Sequence, residues 1–297
     1  MVLESIILIY IIAYGYPFVL LMVYRRRRRS EKKRAPFTSD FLRSPGESLN
    51  QQIQELNEEI SIHLFSITIL PFLALPFFFL YKVTRINLLF FLIGILVILS
   101  LLVVFSIKFW NLLNERAIKR LGYDGERAVG QELNLLMLDG YHVYHDFPAE
   151  KFNIDHVVVG SPGVFAIETK ARSKSRAKGG ADAYKVIYDG KTMRFPDYED
   201  RAALEQSMRQ AKWLRRWLSS AVGDPVTVHP IVALPGWFVE RTSPNGIPVL
   251  NPKLIKPFLA GQKKDVLSEQ MIRRIIHQLE QKCRNIEPTI QLEKDVK

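Results

Sequence analysis

Three long apolar runs stand out in the first 110 residues, at positions 5–24, 64–81 and 86–110. Each run has the ~18–20 largely apolar residues that a helix needs to cross a bilayer. A buried core helix or a cleaved signal peptide is the alternative for any single run. A signal is disfavoured at 5–24 because no basic segment precedes that run and no small-residue cleavage site follows it. The pattern therefore predicts three transmembrane helices.

A basic block, Arg25–Arg34, directly follows the first apolar run and contains eight basic residues. Positive residues beside membrane helices stay in the cytosol, so the block predicts an outside N-terminus and cytosolic residues 25–63. Residues 111–297 then return to the cytosol. We expect a multi-pass protein of the cell (inner, cytoplasmic) membrane, with three helices in the lipid and the basic block at anionic headgroups.

Beyond Trp110 the apolar spacing becomes that of short strands and amphipathic helices. Predicted helices lie at 111–138, with an interruption near Gly122–Gly125, and at 201–219, 253–259 and 268–284. Predicted strands lie at 141–147, 153–159, 164–170, 183–188, 192–195, 226–234 and 247–250. This alternation predicts a soluble α/β domain.

The predicted organisation has five parts. They are the first membrane helix with its basic flank (1–34), a cytosolic connector helix (35–63), a transmembrane hairpin (64–110), a soluble domain (111–262) and a C-terminal helix with a charged tail (263–297). The connector carries a narrow apolar stripe formed by Leu49, Ile53, Leu56 and Ile60. This stripe could pack on the soluble domain, lie at the membrane or dimerise with a second copy, which would give a homo-oligomer.

A β-hairpin is the strongest local signal in the soluble domain, because two alternating β-branched runs flank a glycine–proline turn at 160–163. If Val159 pairs with Val164, Asp155 falls opposite Glu168 on one face of the sheet. Two facing carboxylates lie about 5 Å apart and repel each other. A divalent cation between them would make this pair favourable.

Lys170 shares the face of the two carboxylates because strand side chains alternate with a period of two. A tighter turn at Pro162-Gly163 would shift the register by two residues and place Lys170 opposite Asp155, with all three groups still on one face. Glu126 is a third candidate acid, since it extends the apolar stripe of Val129 on the preceding helix. Surface placement at a frayed helix start is the alternative for Glu126.

Several carboxylates and a lysine at one site suit metal-assisted hydrolysis of phosphodiesters. Mg²⁺ prefers hard oxygen ligands and uses few protein carboxylates, and Mn²⁺ would also fit. The ion can polarise a phosphoryl group and activate water, and Lys170 could orient or deprotonate that water. Four alternating basic residues follow, as candidate phosphate contacts or simply as a solvated loop: Arg172, Lys174, Arg176 and Lys178.

The net charge of +11 is weak evidence for nucleic-acid binding. Membrane topology already explains the Arg25–Arg34 block, and the part from residue 111 onward is only modestly basic, with 29 basic and 23 acidic side chains. The single cysteine, Cys283, excludes intramolecular disulfides and cysteine-based zinc sites. Packing roles are assigned to three histidines that lack ligand-like partners in the pattern: His142, His145 and His156.

The hairpin and its flanking segments resemble the nuclease-related domain (NERD) of the PD-(D/E)XK nuclease superfamily. The likeness spans roughly Glu115 to Leu259 and rests on segments in the expected order: Gly125-Glu126, Asn153–Val159, Gly163–Lys170, Leu204–Gln206 and Val226–Phe238. The Asp plus Glu-x-Lys signature is short and weak by itself. The upstream helix acid and the hairpin make the likeness more specific, and the three apolar runs lie outside it.

The resemblance implies a helix-flanked mixed β-sheet of the restriction-endonuclease-like type with a metal site. It implies the catalytic residues Glu126, Asp155, Glu168 and Lys170. It implies metal ligation by Asp155, by Glu168 and by the carbonyl of Thr169. Gln206 would contact the site or the substrate.

We therefore expect a membrane-anchored, Mg²⁺-dependent nuclease that hydrolyses DNA phosphodiester bonds at the cytosolic face. One alternative is a non-catalytic nucleic-acid-binding module of the same fold. Another is a membrane scaffold or sensor that uses the connector helix to assemble partners. Transport is disfavoured because the apolar runs contain no mid-span Asp, Glu or Arg.

Overall fold

The computed structural model describes residues 16, 19–20, 22–23, 39–84, 87–174, 181–263 and 266–287. The chain divides into a compact unit, Leu42–Arg284, and a second unit formed by Met1–Phe41 and Asn285–Lys297. In the second unit the described positions between 16 and 23 are helical. The rest of the first predicted membrane helix and the Arg25–Arg34 block lie outside the described residues.

Five helices are described. They are α1 (Glu47–Thr84), α2 (Leu88–Asn134), α3 (Ala202–Val222), α4 (Ile255–Ala260) and α5 (Glu269–Cys283), with 3₁₀ turns at Leu135–Asp139, Ala181–Tyr184 and Pro252–Leu254. The strands are β1 (Phe41–Leu42), β2 (His142–Pro148), β3 (Asn153–Gly160), β4 (Gly163–Thr169), β5 (Lys185–Tyr188), β6 (Met193–Arg194), β7 (Glu199–Asp200), β8 (Val228–Ala233), β9 (Phe238–Arg241), β10 (Val249–Leu250) and β11 (Arg284–Ile286).

The first two helices are longer than the apolar pattern predicts and pack against each other as a hairpin. The apolar stripe of α1 faces α2, where Ile53 and Leu56 are buried, which identifies the surface that covers this stripe. The predicted interruption near Gly122–Gly125 is wrong, because α2 continues through it without a break. Gly125 serves packing instead, since a β-carbon there would lie 2.5 Å from Cβ of Ala171.

Among the described residues, one helical stretch is long and apolar enough to cross a membrane, Leu88–Asp139. The predicted count of three spans is therefore not confirmed. The run at 64–81 forms the C-terminal part of α1, and the run at 5–24 lies largely outside the described residues. The predicted boundaries at 63/64 and 110/111 fall within continuous helices, and the division into five parts stays a prediction.

The central sheet contains five strands in the order β10-β8-β4-β3-β2. Strand β3 pairs antiparallel with both β2 and β4, whereas β8 lies parallel to β4 and β10 lies parallel to β8. Val159 pairs with Val164, as the hairpin pattern predicts. The alternative register, shifted by two residues, is wrong. The turn uses Gly163 at φ 138°, a conformation that favours glycine.

Helices cover both faces of this sheet because successive strand residues point to opposite sides. Val157 and Val159 join the core beneath α3 and α5, whereas Val158 joins the core beneath α2. A smaller sheet, in the order β7-β6-β5-β9, packs beside the N-terminal end of α3. The predicted α/β architecture with mixed sheets flanked by helices is thus confirmed.

The segment before α1 also packs against α2, where Pro45 lies close to Gly130. A β-carbon at Gly130 would lie 2.5 Å from Cγ of Pro45. We expect Gly130→Ala to lower the free energy of unfolding by about 1–3 kcal/mol, despite the better helix propensity of alanine. Pro45→Ala in the same chain should recover part of that loss.

Thermal unfolding of the full chain in detergent, followed by circular dichroism, measures both changes. Ser220→Ala, at an exposed position of α3, is the matched control. A Gly130→Ala protein as stable as the unaltered chain would contradict the close packing of Pro45.

Candidate active site

The hairpin brings four predicted site residues together at the end of β3 and β4. The ladder ends with His156 opposite Ile167, so Asp155 and Glu168 form the next facing step. Asp155 Oδ2 accepts a 2.7 Å hydrogen bond from the amide of Thr169. Lys170 extends beside them and places its Nζ 2.6 Å from Oε1 of Glu168. Two carboxylates and one ammonium thus share this corner of the sheet.

One oxygen of this cluster has no hydrogen-bond partner among the residues that the structure describes. Glu168 is only 2% exposed, and its Oε2 makes no hydrogen bond with the described residues, although Oε1 pairs with Lys170. An unpaired buried carboxylate oxygen is costly. The arrangement therefore leaves one strong acceptor available for a proton, a water molecule or a cation.

Glu126 brings a further carboxyl group close to this pair from the C-terminal part of α2. It is buried, and its pKa is raised from 4.5 to about 8 by desolvation and then by the charges of Asp146 and Glu168. Lys170 and the amide of Gly46, which donates a hydrogen bond to the carboxylate, oppose that rise.

The same burial and neighbouring carboxylates also shift the pKa of Asp155. Its pKa is raised well above 3.8 by desolvation, then by the charges of Glu168 and Glu126. The amide of Thr169 and the ammonium of Lys170 act in the opposite direction. The site therefore concentrates more carboxylate charge than its own cations balance, which favours an external positive group.

The donor set fits a hard divalent cation. Carboxylate oxygens from Asp155 and Glu168, with the main-chain carbonyl of Thr169, would supply oxygen ligands only, the type that Mg²⁺ prefers. No cage of three or more acidic, histidine or cysteine side chains occurs in the described part of the chain. Mg²⁺ accepts such a sparse set because it retains several of its waters.

Lys170 is held by contacts on both its main chain and its side chain. Its amide donates to the carbonyl of Ala233 on β8 at 2.9 Å. Its Nζ donates to Oε1 of Gln206, on the first turns of α3, at 3.1 Å. The structure therefore places Gln206 at the site, where it fixes the ammonium between an amide oxygen and Glu168.

The basic loop after Lys170 is partly engaged in contacts within the protein. Arg172 pairs with buried Asp200 at 2.7 Å, and the carbonyl of Arg172 accepts a 3.2 Å hydrogen bond from the indole of Trp237. The Lys174 ammonium lies 5.6 Å from the ring centre of Trp237 and 6.0 Å from that of Tyr184. Arg176 and Lys178 lie outside the described residues.

His145 has hydrogen-bond partners that the strand pattern did not reveal. His145 and His156 face each other across β2 and β3, with their Nδ1 atoms 2.8 Å apart. His145 Nε2 lies 3.0 Å from Oδ1 of Asn134, and His156 Nε2 lies 3.1 Å from Oγ1 of Thr169. Aligning β2 with β3 would have revealed this pair in the sequence.

The acceptor at one end sets the direction of this chain of hydrogen bonds. Burial lowers the pKa of His145 to about 4, and burial together with His145 lowers that of His156 well below 6.5, so both rings are neutral at pH 7. Asn134 Oδ1 accepts from His145, which must then accept from His156, which in turn accepts from the Thr169 hydroxyl. These hydrogen bonds hold the Thr169 hydroxyl on the face of the sheet opposite the Glu168 side chain.

A second group that sequence reasoning missed surrounds Asp146. This residue is 3% exposed, and its backbone has φ 48°, unusual for a residue other than glycine. Arg43 donates to Asp146 Oδ2 from Nε at 2.9 Å and from Nη2 at 2.5 Å. Ser48 adds its amide at 2.8 Å and its hydroxyl at 2.7 Å. The charge at Asp146, inside an otherwise apolar strand pattern, was the signal available in the sequence.

Comparison with known families now bears on this geometry. Residues 121–235 match the family model of the nuclease-related domain, NERD. The predicted resemblance is confirmed, and it is consistent with membership of the PD-(D/E)XK superfamily. No curated protein and no solved structure matches the chain. The matched nuclease-related domain includes Glu126 and Lys170 but not Arg43 or Ser48.

The raised pKa of Glu126 predicts a specific pH dependence of stability. Between pH 4.5 and 8 the folded state binds this proton and the unfolded chain does not, so stability falls as pH rises. The lowered pKa of His145 makes stability rise with pH instead, but only below about pH 6.5, where the histidine of the unfolded chain binds a proton. Without divalent cations, we expect the free energy of unfolding to fall by about 2 kcal/mol from pH 6.5 to pH 8.

Thermal or urea unfolding across this pH range checks the prediction. Glu126→Gln should flatten the dependence, and Glu205→Gln, at an exposed position of α3, is the control that should leave it unchanged. A steep dependence that survives Glu126→Gln would assign the proton to another group.

Proposed function

We propose that this protein is a divalent-metal-dependent nuclease that hydrolyses phosphodiester bonds of DNA. The observation that carries the proposal is the pair of facing carboxylates, Asp155 and Glu168, with an unpaired buried oxygen and a lysine 2.6 Å away. The match to the nuclease-related domain over residues 121–235 supports the same chemistry. Mg²⁺ is the proposed cofactor, with Mn²⁺ as a substitute.

The proposed roles follow from position. Asp155, Glu168 and the Thr169 carbonyl would hold the ion, which supplies Lewis-acid polarisation of the phosphoryl group and a more acidic bound water. Lys170, fixed by Gln206, would orient the attacking water or stabilise the developing negative charge. Glu126, with a pKa raised to about 8, suits a helix-borne acid that holds or transfers a proton near neutral pH.

Substrate contacts are proposed along the loop that leaves the site. Lys174 keeps its ammonium at the rings of Trp237 and Tyr184, close to the surface, where it can meet a phosphate. Arg172 is only partly available to bind a phosphate, because its guanidinium pairs with Asp200. Arg176 and Lys178 continue the basic series in the sequence, and Gln206 reaches the site through Lys170.

Membrane anchoring by three helices is also proposed, with the nuclease-related domain in the cytosol. Supporting it are the apolar stretch Leu88–Asp139 and the exposed phenylalanine and leucine side chains along α1 and α2. Helix α1 begins at the nuclease-related domain and α2 ends in it. Their connection at 85–87 would therefore lie on the opposite side of the bilayer. The Arg25–Arg34 block supports the cytosolic placement of the domain.

Substitutions at the hairpin test the nuclease proposal. Asp155→Asn or Lys170→Met in the full chain should lower the rate of DNA cleavage by about 100-fold or more, because each removes a group that acts on the reacting phosphate. EDTA should abolish cleavage, and added Mg²⁺ should restore it.

Cleavage of linear, circular and single-stranded DNA with Mg²⁺ or Mn²⁺ measures these effects, with Glu205→Gln as the matched acidic control. Equal cleavage by the Asp155→Asn protein and the unaltered chain would contradict the proposal. DNA binding without any cleavage would instead support a non-catalytic binding module.

Cysteine labelling tests the membrane proposal. Asn87→Cys should react with a membrane-impermeant maleimide in intact cells, and Glu205→Cys should react only after lysis. Native Cys283 gives little background because it is buried and its pKa is raised to about 12. Labelling of both positions, or of neither, in intact cells would contradict the proposed orientation.

A further inference from the structure

The α1 N-terminus and the residues before it touch the candidate site, although they lie outside the matched domain. Gly46 precedes the first helical residue, and its carbonyl accepts the first helical hydrogen bond, from Asn50 at 2.8 Å. The amide of Gly46 donates to the carboxylate of Glu126. The amide of Ser48 donates to Asp146 at 2.8 Å. Two amides at the N-terminus of this 38-residue helix, which have no acceptor within the helix, thus donate to two buried carboxylates.

This arrangement is electrostatically favourable because a helix N-terminus carries a partial positive charge. Arg43 adds a full charge to Asp146 and also donates to the Ser48 hydroxyl at 2.5 Å. Asn153, two residues before Asp155 on β3, donates to the same hydroxyl at 2.5 Å and to Asp146 Oδ1 at 3.0 Å. The segment therefore links α1 to both the helix acid and the strand of the first metal ligand.

The packing around the segment allows little displacement. A β-carbon at Gly46, where φ is 73°, would lie 2.7 Å from Cδ2 of Tyr123. The ring of Pro45 packs closely against Gly130. Both contacts are to α2, within one or two turns of Glu126. The Arg43 and Asp146 side chains are 9% and 5% exposed, so water competes little with their ion pair.

We infer that Arg43–Ser48 is a positioning element of the nuclease site, which fixes Glu126 and Asp146 through the N-terminus of α1. The inference rests on the proposed nuclease function. It makes the apolar hairpin part of the catalytic architecture: a displacement of α1 along α2 would withdraw the Gly46 amide from Glu126. The nuclease-related domain alone, as matched at 121–235, would lack this support.

The test compares variants of the full chain in detergent at saturating Mg²⁺. Arg43→Ala should lower kcat for DNA cleavage by about tenfold or more, with KM within about twofold, because it misplaces a catalytic group without touching the DNA-binding loop. Arg43→Lys should restore much of kcat by returning the charge. Asn57→Ala is the matched control, since it removes a 2.6 Å hydrogen bond between the same two helices, from Arg116, at an exposed position.

Loss of Arg43 leaves a buried Asp146 unpaired, so Arg43→Ala could unfold the chain. Arg43→Met combined with Asp146→Asn leaves no unpaired charge and should fold, yet its kcat should also fall by about tenfold. Unaltered kcat in a folded Arg43→Ala protein, or in the charge-free double variant, would overturn the inference.

A double-mutant cycle gives a readout that needs no turnover. The cycle is measured at about pH 9, above the pKa of Glu126 at about 8, where the charge of Asp146 left bare by the loss of Arg43 repels the ionised Glu126. Arg43→Ala should therefore lower the midpoint of thermal unfolding less when Glu126→Gln is also present. Strict additivity would overturn the inference even if the protein is a nuclease. Coupling in a chain that never cleaves DNA would refute the nuclease proposal but leave the linkage between Arg43–Ser48 and Glu126 established.

Discussion

Burial of facing carboxylates at the end of one antiparallel hairpin is the constraint around which the compact unit is arranged. Asp155 and Glu168 occupy the step of the ladder where two apolar side chains would be cheapest, and Glu168 is almost fully enclosed. The surrounding groups reduce the cost of these charges: the Thr169 amide serves Asp155, and the Lys170 ammonium serves Glu168. One oxygen of Glu168 makes no hydrogen bond within the part of the chain that the structure describes, so it remains available to a proton, a water molecule or the proposed cation.

The elements around the hairpin keep these groups in place from different directions. Strand β8 anchors the Lys170 main chain, α3 anchors its side chain through Gln206, and α2 brings Glu126 to the site. The buried histidine pair holds the Thr169 hydroxyl from the opposite face of the sheet. Each support comes from a different layer of the fold, so the site depends on the whole helix–sheet–helix arrangement rather than on the hairpin alone.

Helix α1 gives this arrangement an unusual extension. The part of the chain that matches the nuclease-related domain begins in the C-terminal third of α2, whereas the amides that donate to Glu126 and Asp146 come from the start of α1. The same two helices carry the apolar surface proposed to lie in the membrane. The proposed membrane segment and the candidate site are therefore consecutive parts of the same continuous helices.

Much of the site was predictable because it depends on local periodicity. The two-residue alternation of strands, with a turn at glycine and proline, was enough to put Asp155, Glu168 and Lys170 on one face of the sheet. The strand pairing then placed Asp155 and Glu168 opposite each other rather than Asp155 and Lys170. The stripe of Val129 pointed Glu126 toward the sheet, and its burial in the structure decided against a surface position. Helix continuity through Gly122–Gly125 was not predictable, because glycine is a local breaker and only packing against Ala171 shows why it is tolerated here.

The sequence by itself determined the α/β class, the presence of the hairpin, the residues that would form an acidic site and the family they resemble, whereas the strand pairing chose between its two possible registers. All of these follow from short-range spacing, which the chain carries independently of its surroundings. Only the tertiary structure decided which groups contact one another. These contacts are the hydrogen bond between His145 and His156, the ion pair of Arg43 with Asp146, and the hydrogen bond from the Gly46 amide to Glu126. These contacts join residues up to 103 positions apart, and their partners are selected by packing of whole elements rather than by any local pattern.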